Sequence, residues 1–139
     1  MTNPGPAVHG RQVLTIAEVA ERTGLSTDTL RYYERDGLML RSVPRASSGH
    51  RLYAERDIEW IRLITKLRST GMPIRDVRRY ADLVRAGEGN EQERLDLLRA
   101  HRQVVLARLA EVQDHLGAID YKIGLYEARV NAVVEELSA

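Results

Sequence analysis

The longest regular pattern in this chain lies in its C-terminal third, where apolar residues recur at alternating steps of three and four. A step that averages about 3.5 residues is typical of a coiled-coil seam, and only Arg102 interrupts the apolar set. A single helix with so narrow a seam would leave it in water, so we expect a second copy of the chain to cover it. The seam positions expected to hold this homodimer together are Val105, Leu109, Val112, Leu116, Ile119 and Ile123.

The start of the chain shows shorter patterns that predict two helices joined by a tight turn. Thr15 and Glu18 have the spacing of a capping box, which starts the first helix. Gly24 can adopt the left-handed conformation that ends a helix, and Ser26 is a typical first cap of the next one. Helix, tight turn and helix together predict a helix-turn-helix.

The middle of the chain predicts a wing and two further helices. Gly37 ends the second helix, and residues 38–41 and 50–53 have the pattern of two short strands around a turn-rich loop. Apolar residues then recur at helical spacing in two segments. These are Trp60, Leu63, Ile64 and Leu67 in the third helix, and Ile74, Val77, Ala81 and Val84 in the fourth.

These patterns predict a mainly α fold, with a winged helix-turn-helix head followed by a long C-terminal coiled-coil dimerisation helix. We expect a flexible leader at 1–12, the DNA-binding domain at 13–86, a hinge at 87–90 and the dimerisation helix at 91–137. A head of this size is close to the limit at which one core is stable alone, and dimerisation would add burial.

Charge and composition narrow the function. The formal net charge is +1, but residues 1–86 hold 15 Lys or Arg against 10 Asp or Glu, whereas the remainder holds 6 against 10. Nearly all the cations are arginine, which suits phosphate and guanine edges; biased genome composition explains the same count. The chain has no cysteine, and it shows neither a membrane-spanning run nor a signal-peptide core, so we expect a soluble cytoplasmic protein without disulfides.

The second helix carries the candidate chemistry. Arg31 and Tyr32 lie where a cation and a phenol hydroxyl can meet a phosphate backbone, while the helix N-terminus approaches the base edges. Tyr33 either joins them or packs in the core. In the wing, strand alternation leaves Arg51 free to reach DNA. The DNA-binding residues expected in this part of the chain are Ser26, Thr27, Arg31, Tyr32, Tyr33, Arg51 and Tyr53, whereas Arg68 has a favourable position against the dipole of the third helix.

Several of these motifs together resemble the MerR family of bacterial transcription regulators. The motifs are Thr-Ile-Ala-Glu-Val-Ala, Leu-Arg-Tyr-Tyr-Glu, Asp-Gly-Leu and Gly-His-Arg-Leu-Tyr, in that order before residue 54. The resemblance implies a homodimer joined by an antiparallel coiled coil, which binds a pseudo-palindromic promoter and bends and untwists it so that RNA polymerase engages both promoter elements. It also implies that Arg31, Tyr32, Tyr33 and Arg51 contact DNA, and that Arg68 holds the backbone beside the distortion.

The sequence departs from the family in ways that bear on sensing. His50 stands where an aromatic residue is common, and the cysteines of metal- and redox-sensing members are absent. The histidines lack metal-ligand spacing, so we expect no metal and no cofactor, and we also expect no appended drug-binding domain. Tyr121 and Tyr126 are candidates for a pocket that binds a small organic effector, but packing explains both residues without a ligand and is the favoured interpretation.

Other functional classes fit the sequence less well. An enzyme would need a nucleophile and base, a metal-ligand cluster or a phosphate-binding glycine loop, and the sequence shows none of these. An architectural protein resembling phage excisionases would share the winged head and bend DNA, but the long dimer helix argues against it. A protein adaptor would use the coil to bind a different chain.

Overall fold

The structure is a computed structural model that describes residues 13–139, so the expected leader at 1–12 lies outside the described residues. The described residues form five helices, which confirms the predicted mainly helical class. Their contacts divide the chain into two units, which we call the head, up to Leu98, and the tail, residues 99–139. The helices are α1 (Ile16–Thr23), α2 (Thr27–Arg35), α3 (Glu55–Ser69), α4 (Ile74–Ala86) and α5 (Glu91–Ser138).

The predicted caps place α1 and α2 around a tight turn. The Glu18 amide donates to Oγ1 of Thr15 at 3.1 Å, and the Thr15 amide donates to Oε1 of Glu18 at 2.8 Å, which completes the capping box. Gly24 ends α1 with φ of 77°, and Oγ of Ser26 accepts a hydrogen bond from the Thr29 amide at 3.0 Å. The helix-turn-helix prediction is therefore confirmed by its local chemistry.

The core of the head forms around α3. Ile58, Ile61 and Ile64 are fully buried there, and Val77 and Ala81 of α4 pack against the same cluster. The Trp60 indole donates to the Leu38 carbonyl at 2.7 Å and stacks on Tyr80 with ring centroids 5.7 Å apart. Since a buried indole N–H needs a partner, this bond fixes the segment after α2 against α3.

The prediction of a strand at 38–41 is wrong, whereas within the predicted strand at 50–53 Arg51 and Tyr53 each form an isolated bridge. Leu38 and Met39 are both buried, so this segment lacks the in-and-out alternation of a strand. Pairing occurs further along, as an isolated bridge between Arg45 and Arg51, and the Leu52 amide donates to the Pro44 carbonyl at 2.9 Å. From here on, the wing means the hairpin at residues 44–52.

A buried ion pair fixes the start of α3 to the segment that leads into the wing. Asp57 is 3% exposed and accepts from the Ala54 amide at 2.8 Å, which caps the helix N-terminus. The same carboxylate oxygen accepts from Arg41 at 2.6 Å. The sequence predicted Asp57 at a helix start, and the structure adds Arg41 as the cation that compensates for burial of the carboxylate.

Residues 87–90 separate α4 from α5, and Arg94 closes this junction. Its guanidinium donates to Oδ1 of Asn90 at 2.6 Å and to the Gly87 carbonyl, while the Asn90 amide group donates to the Leu83 carbonyl at 2.9 Å. Leu97 and Leu98 are partly buried against the core, so the head includes the first turns of α5.

The tail is helical throughout and exposes its apolar seam. Leu109, Val112, Leu116, Ile119 and Ile123 are each between 50% and 56% exposed, and Val105 is half-buried. Exposed apolar residues in one continuous line on a helix are typical of an interaction face. None of the described helices is long and apolar enough to cross a membrane.

Candidate nucleic-acid interface

The N-terminus of α2 is held by its own polar side chains. The Ser26 hydroxyl accepts from the Thr29 amide, so its first role is to cap the helix. Thr27 is half-buried, and its hydroxyl accepts from Arg31 at 3.4 Å. Arg31 also pairs with Asp28 at 3.1 Å and remains 43% exposed. The predicted contact residues at this helix end therefore lie together, with Arg31 held by two neighbours one turn away.

Of the two adjacent tyrosines of α2, one is exposed at the surface and the other is buried in the core. Tyr32 is 36% exposed, whereas Tyr33 is 5% exposed and its hydroxyl bonds to the Thr65 hydroxyl at 3.2 Å. Of the two readings of Tyr33, the structure supports the core aromatic. The prediction that Tyr33 contacts DNA is corrected on this ground, because its hydroxyl is turned toward α3.

The wing approaches α2 through arginine. Nε of Arg51 donates to Oε1 of Glu34 at 2.6 Å, and the Arg45 guanidinium lies 3.5 Å from the same oxygen. The side chains of Arg51 and Glu34 are only 19% and 18% exposed. The prediction that Arg51 is free to reach DNA is therefore incomplete, because the structure gives it a carboxylate partner.

A cleft of about 590 Å³ opens between α2 and the wing, and its lining is strongly basic. Six arginines line it, and Glu34 is the one carboxylate among its lining residues. Such a concentration of guanidinium groups attracts the phosphate backbone, and arginine binds phosphate through two donors at once. We call this feature the arginine cleft. Its arginines are Arg31, Arg35, Arg41, Arg45, Arg51 and Arg85.

Two arginines of α4 hold the end of α2 from outside the helix-turn-helix. Arg78 donates to the Asp36 carbonyl at 3.1 Å and to the Asp36 carboxylate at 2.6 Å. Arg85 donates to the carbonyls of Gly37, at 3.0 Å, and Met39. These bonds satisfy carbonyls at and just after the C-terminal end of α2, where cations are favoured. Neither residue was predicted from the sequence, although their spacing of seven residues places them on one face of α4.

Arg68 lies at the C-terminal end of α3, apart from the arginine cleft. Its guanidinium donates to the Met72 carbonyl at 2.9 Å, and the residue is exposed. This bond stabilises the turn between α3 and α4, where a cation is favoured by the helix dipole. Contact between Arg68 and the DNA backbone stays a prediction.

Tyr53 was predicted to contact DNA, and the structure corrects this, because the residue is 1% exposed. Its backbone pairs with Leu14 through two hydrogen bonds of 2.8 Å, which draws the ring into the core. Burial raises the pKa of the Tyr53 hydroxyl above its ordinary value, with nearby Arg51 opposing the shift. Among residues 13–139 this hydroxyl has no hydrogen-bond partner.

A Tyr53→Phe variant is expected to bind DNA as the native protein does and to melt at the same temperature or higher near neutral pH, because it removes only a buried hydroxyl. Because burial disfavours the charged phenolate, the native fold loses stability as the pH rises from the unfolded pKa of about 10 through the raised pKa of the folded state. The native protein should thus lose more thermal stability than the variant above about pH 10. Melting curves measure the stability and gel shifts measure the DNA binding. Weaker DNA binding by Tyr53→Phe would show that the Tyr53 hydroxyl contributes to the interface.

The two tyrosines predicted for an effector pocket do not lie together on the tail. They are five residues apart, which places them roughly 140° apart around one helix. Tyr121 is 70% exposed, whereas Tyr126 lies beside Ile123 and Val130 in a shallow groove, with the Arg129 guanidinium 5.6 Å from its ring centre. No group of three or more potential metal ligands occurs in the described part of the chain.

Comparison with known proteins gives two matching family models. The model described as MerR HTH family regulatory protein matches residues 14–83, and the model described as MerR, DNA binding matches residues 58–120. An uncharacterised HTH-type transcriptional regulator from Haemophilus influenzae is 34% identical over 113 residues, which cover 81% of this chain and 83% of that protein.

Solved structures give the same result. HiNmlR, described as a MerR family regulator lacking the sensor domain and crystallised bound to promoter DNA, is 33% identical and has a TM-score of 0.76; the match covers 84% of this chain and 87% of that one. A Listeria monocytogenes protein described as a MerR family transcriptional regulator is 35% identical with a TM-score of 0.81, covering 90% of this chain and 94% of that one.

Proposed function

Because this chain belongs to the MerR family, and is therefore a DNA-binding transcriptional regulator rather than an enzyme, we propose that it acts as a homodimer on a pseudo-palindromic promoter. In this proposal it works in the cytoplasm and controls transcription by bending and untwisting the DNA. The observation that carries the proposal is the arginine cleft, which lies between the recognition helix α2 and the wing. A helix that reads the major groove and a hairpin beside it need cations at this position, where the backbone passes.

The exposed seam of the tail supports the homodimer. Full burial of an exposed leucine or isoleucine contributes about 1.5–3 kcal/mol, so each half-exposed seam position would contribute roughly half of that, and five such positions in each chain add up to a large gain. In the proposed dimer the two tails pair antiparallel, as the family resemblance implies. Such a dimer would carry two heads, one for each half-site of an inverted repeat.

Distortion of the DNA follows from the same arrangement. Two heads held at a fixed separation can bind both half-sites of an over-long promoter spacer only if the DNA changes shape. Bending costs on the order of 1–6 kcal/mol for a site of this size, and contacts in both half-sites offset that cost. Shortening the effective spacer would let RNA polymerase engage both promoter elements.

The first experiment uses the DNA that neighbours the chain's own gene. Gel shifts with inverted repeats from that region are expected to show specific binding, and footprinting should show protection between the two promoter elements. A fluorescence pair at the ends of the fragment should report shortening on binding. Protection away from any promoter would favour an excisionase-like architectural role, and no binding to any double-stranded fragment would contradict the proposal.

A further inference from the structure

One acidic side chain in the arginine cleft has no place in the proposed DNA contacts. Glu34 of α2 lines the cleft together with the six arginines, and its Oε1 lies 2.6 Å from Nε of Arg51 and 3.5 Å from the Arg45 guanidinium. The Glu34 and Arg51 side chains are both more than four-fifths buried. Glu34 therefore joins the recognition helix to both paired residues of the wing.

The position of this carboxylate has two consequences for a phosphate that enters the cleft. First, it offsets one arginine charge and repels the phosphate directly, in surroundings where screening by water is reduced. Second, it binds Arg51 through Nε alone, which holds the guanidinium in one orientation and leaves its two terminal nitrogens as donors. The first effect weakens attraction to any DNA, and the second favours DNA whose phosphates fit that orientation.

We propose that Glu34 is a specificity-determining residue, which lowers the affinity for arbitrary DNA more than the affinity for the operator. Binding to arbitrary sequences depends almost wholly on cations near phosphates, so the carboxylate opposes it with full effect. Operator binding also depends on where Arg51 is held, so there the positioning compensates for the repulsion. This inference rests on the proposed function, because it requires that the cleft binds duplex DNA.

The test compares the native dimer with a Glu34→Gln variant, which keeps the shape of the side chain and removes its charge. Affinity is measured on an operator fragment and on an unrelated duplex of equal length across a series of salt concentrations. We expect about a 3- to 10-fold gain on the unrelated duplex, with a salt slope steeper by roughly one phosphate contact. Operator affinity should change by less than about twofold, so that selectivity falls.

Two further variants separate this role from a general change in charge. Glu59→Gln makes the same charge change at an exposed residue of α3 outside the cleft, and it should leave selectivity unchanged. Combining Glu34→Gln with Arg51→Ala should abolish the gain in salt slope, because Arg51 is the cation whose charge Glu34 offsets. Unchanged selectivity in Glu34→Gln, or an equal loss in Glu59→Gln, would overturn the inference.

Folding and the proposed function are checked separately. Melting curves show whether Glu34→Gln is folded; if it is not, Glu34→Asp keeps the charge with a shorter reach. That variant should retain the low affinity for unrelated DNA and lose operator affinity, since Arg51 is no longer held, and the opposite pattern overturns the inference. If the native protein binds no duplex at all, the proposed function fails. If the native protein binds duplex DNA but substitution of Glu34 leaves the ratio of operator affinity to unrelated-DNA affinity unchanged, only this inference fails.

Discussion

A Leu116→Lys variant is expected to be monomeric at concentrations where the native protein is a dimer, and to lose specific DNA binding with it. Leu116 lies at the middle of the seam and is 52% exposed in the single chain. Since about half of each Leu116 side chain remains to be buried, the dimer would lose about 1.5–3 kcal/mol from the two leucines, and it would also bring two ammonium groups into an apolar seam. The dimer dissociation constant should rise by roughly two to four orders of magnitude.

The matched control for this substitution is Ala107→Lys. Ala107 is exposed and lies nine residues before Leu116, which places it on the opposite side of the same helix. It adds the same charge to the tail, so it should remain dimeric and bind the operator normally. Light scattering measures the oligomeric state, and gel shifts measure operator affinity. A Leu116→Lys protein that is still dimeric and binds the operator with full affinity would show that the seam does not hold the dimer together.

The second large effect is expected from the arginines of the interface. Arg31→Ala and Arg51→Ala should each weaken operator binding by about 10- to 100-fold while the protein stays dimeric. Arg31 is oriented by Asp28 and Thr27 and keeps 43% of its side chain exposed, so a phosphate can approach it. If it contacts phosphate, Arg31→Ala should also reduce the salt slope by about one contact.

Arg108→Ala serves as the control for loss of one positive charge, because Arg108 is exposed on the tail rather than in the head. Its operator affinity should differ from the native value by less than about twofold, in line with a surface substitution away from the contact. Equal affinities for native protein, Arg31→Ala and Arg51→Ala would show that DNA binds elsewhere.

Features of the head that depend on neighbouring residues were predictable from the sequence. The capping box of Thr15 and Glu18 and the serine cap at Ser26 act within three residues, so their spacing alone indicates the helix starts. The seam of α5 was also predictable, because one repeat determines which face of a long helix is apolar.

Features that depend on distant residues were not predictable. Tyr53 is buried because its backbone pairs with Leu14, which is 39 residues away, and nothing near Tyr53 in the sequence indicates this. The partner of Arg51 is Glu34 on another element, so local alternation could show that Arg51 leaves the wing but not what it meets. The wing itself shifted because burial of Leu38 and Met39 outweighed their strand pattern.

The bonds from Arg78 and Arg85 to Asp36 and Gly37 tie the C-terminal end of α2, the proposed recognition helix, to α4. A substitution in α4 that removes one of these bonds is thus expected to move α2 while leaving its proposed DNA-contacting side chains unchanged. Selection for regulators with altered operator preference should therefore yield substitutions in α4 as well as in α2. In the proposed complex, operator preference therefore depends partly on residues that do not touch the DNA.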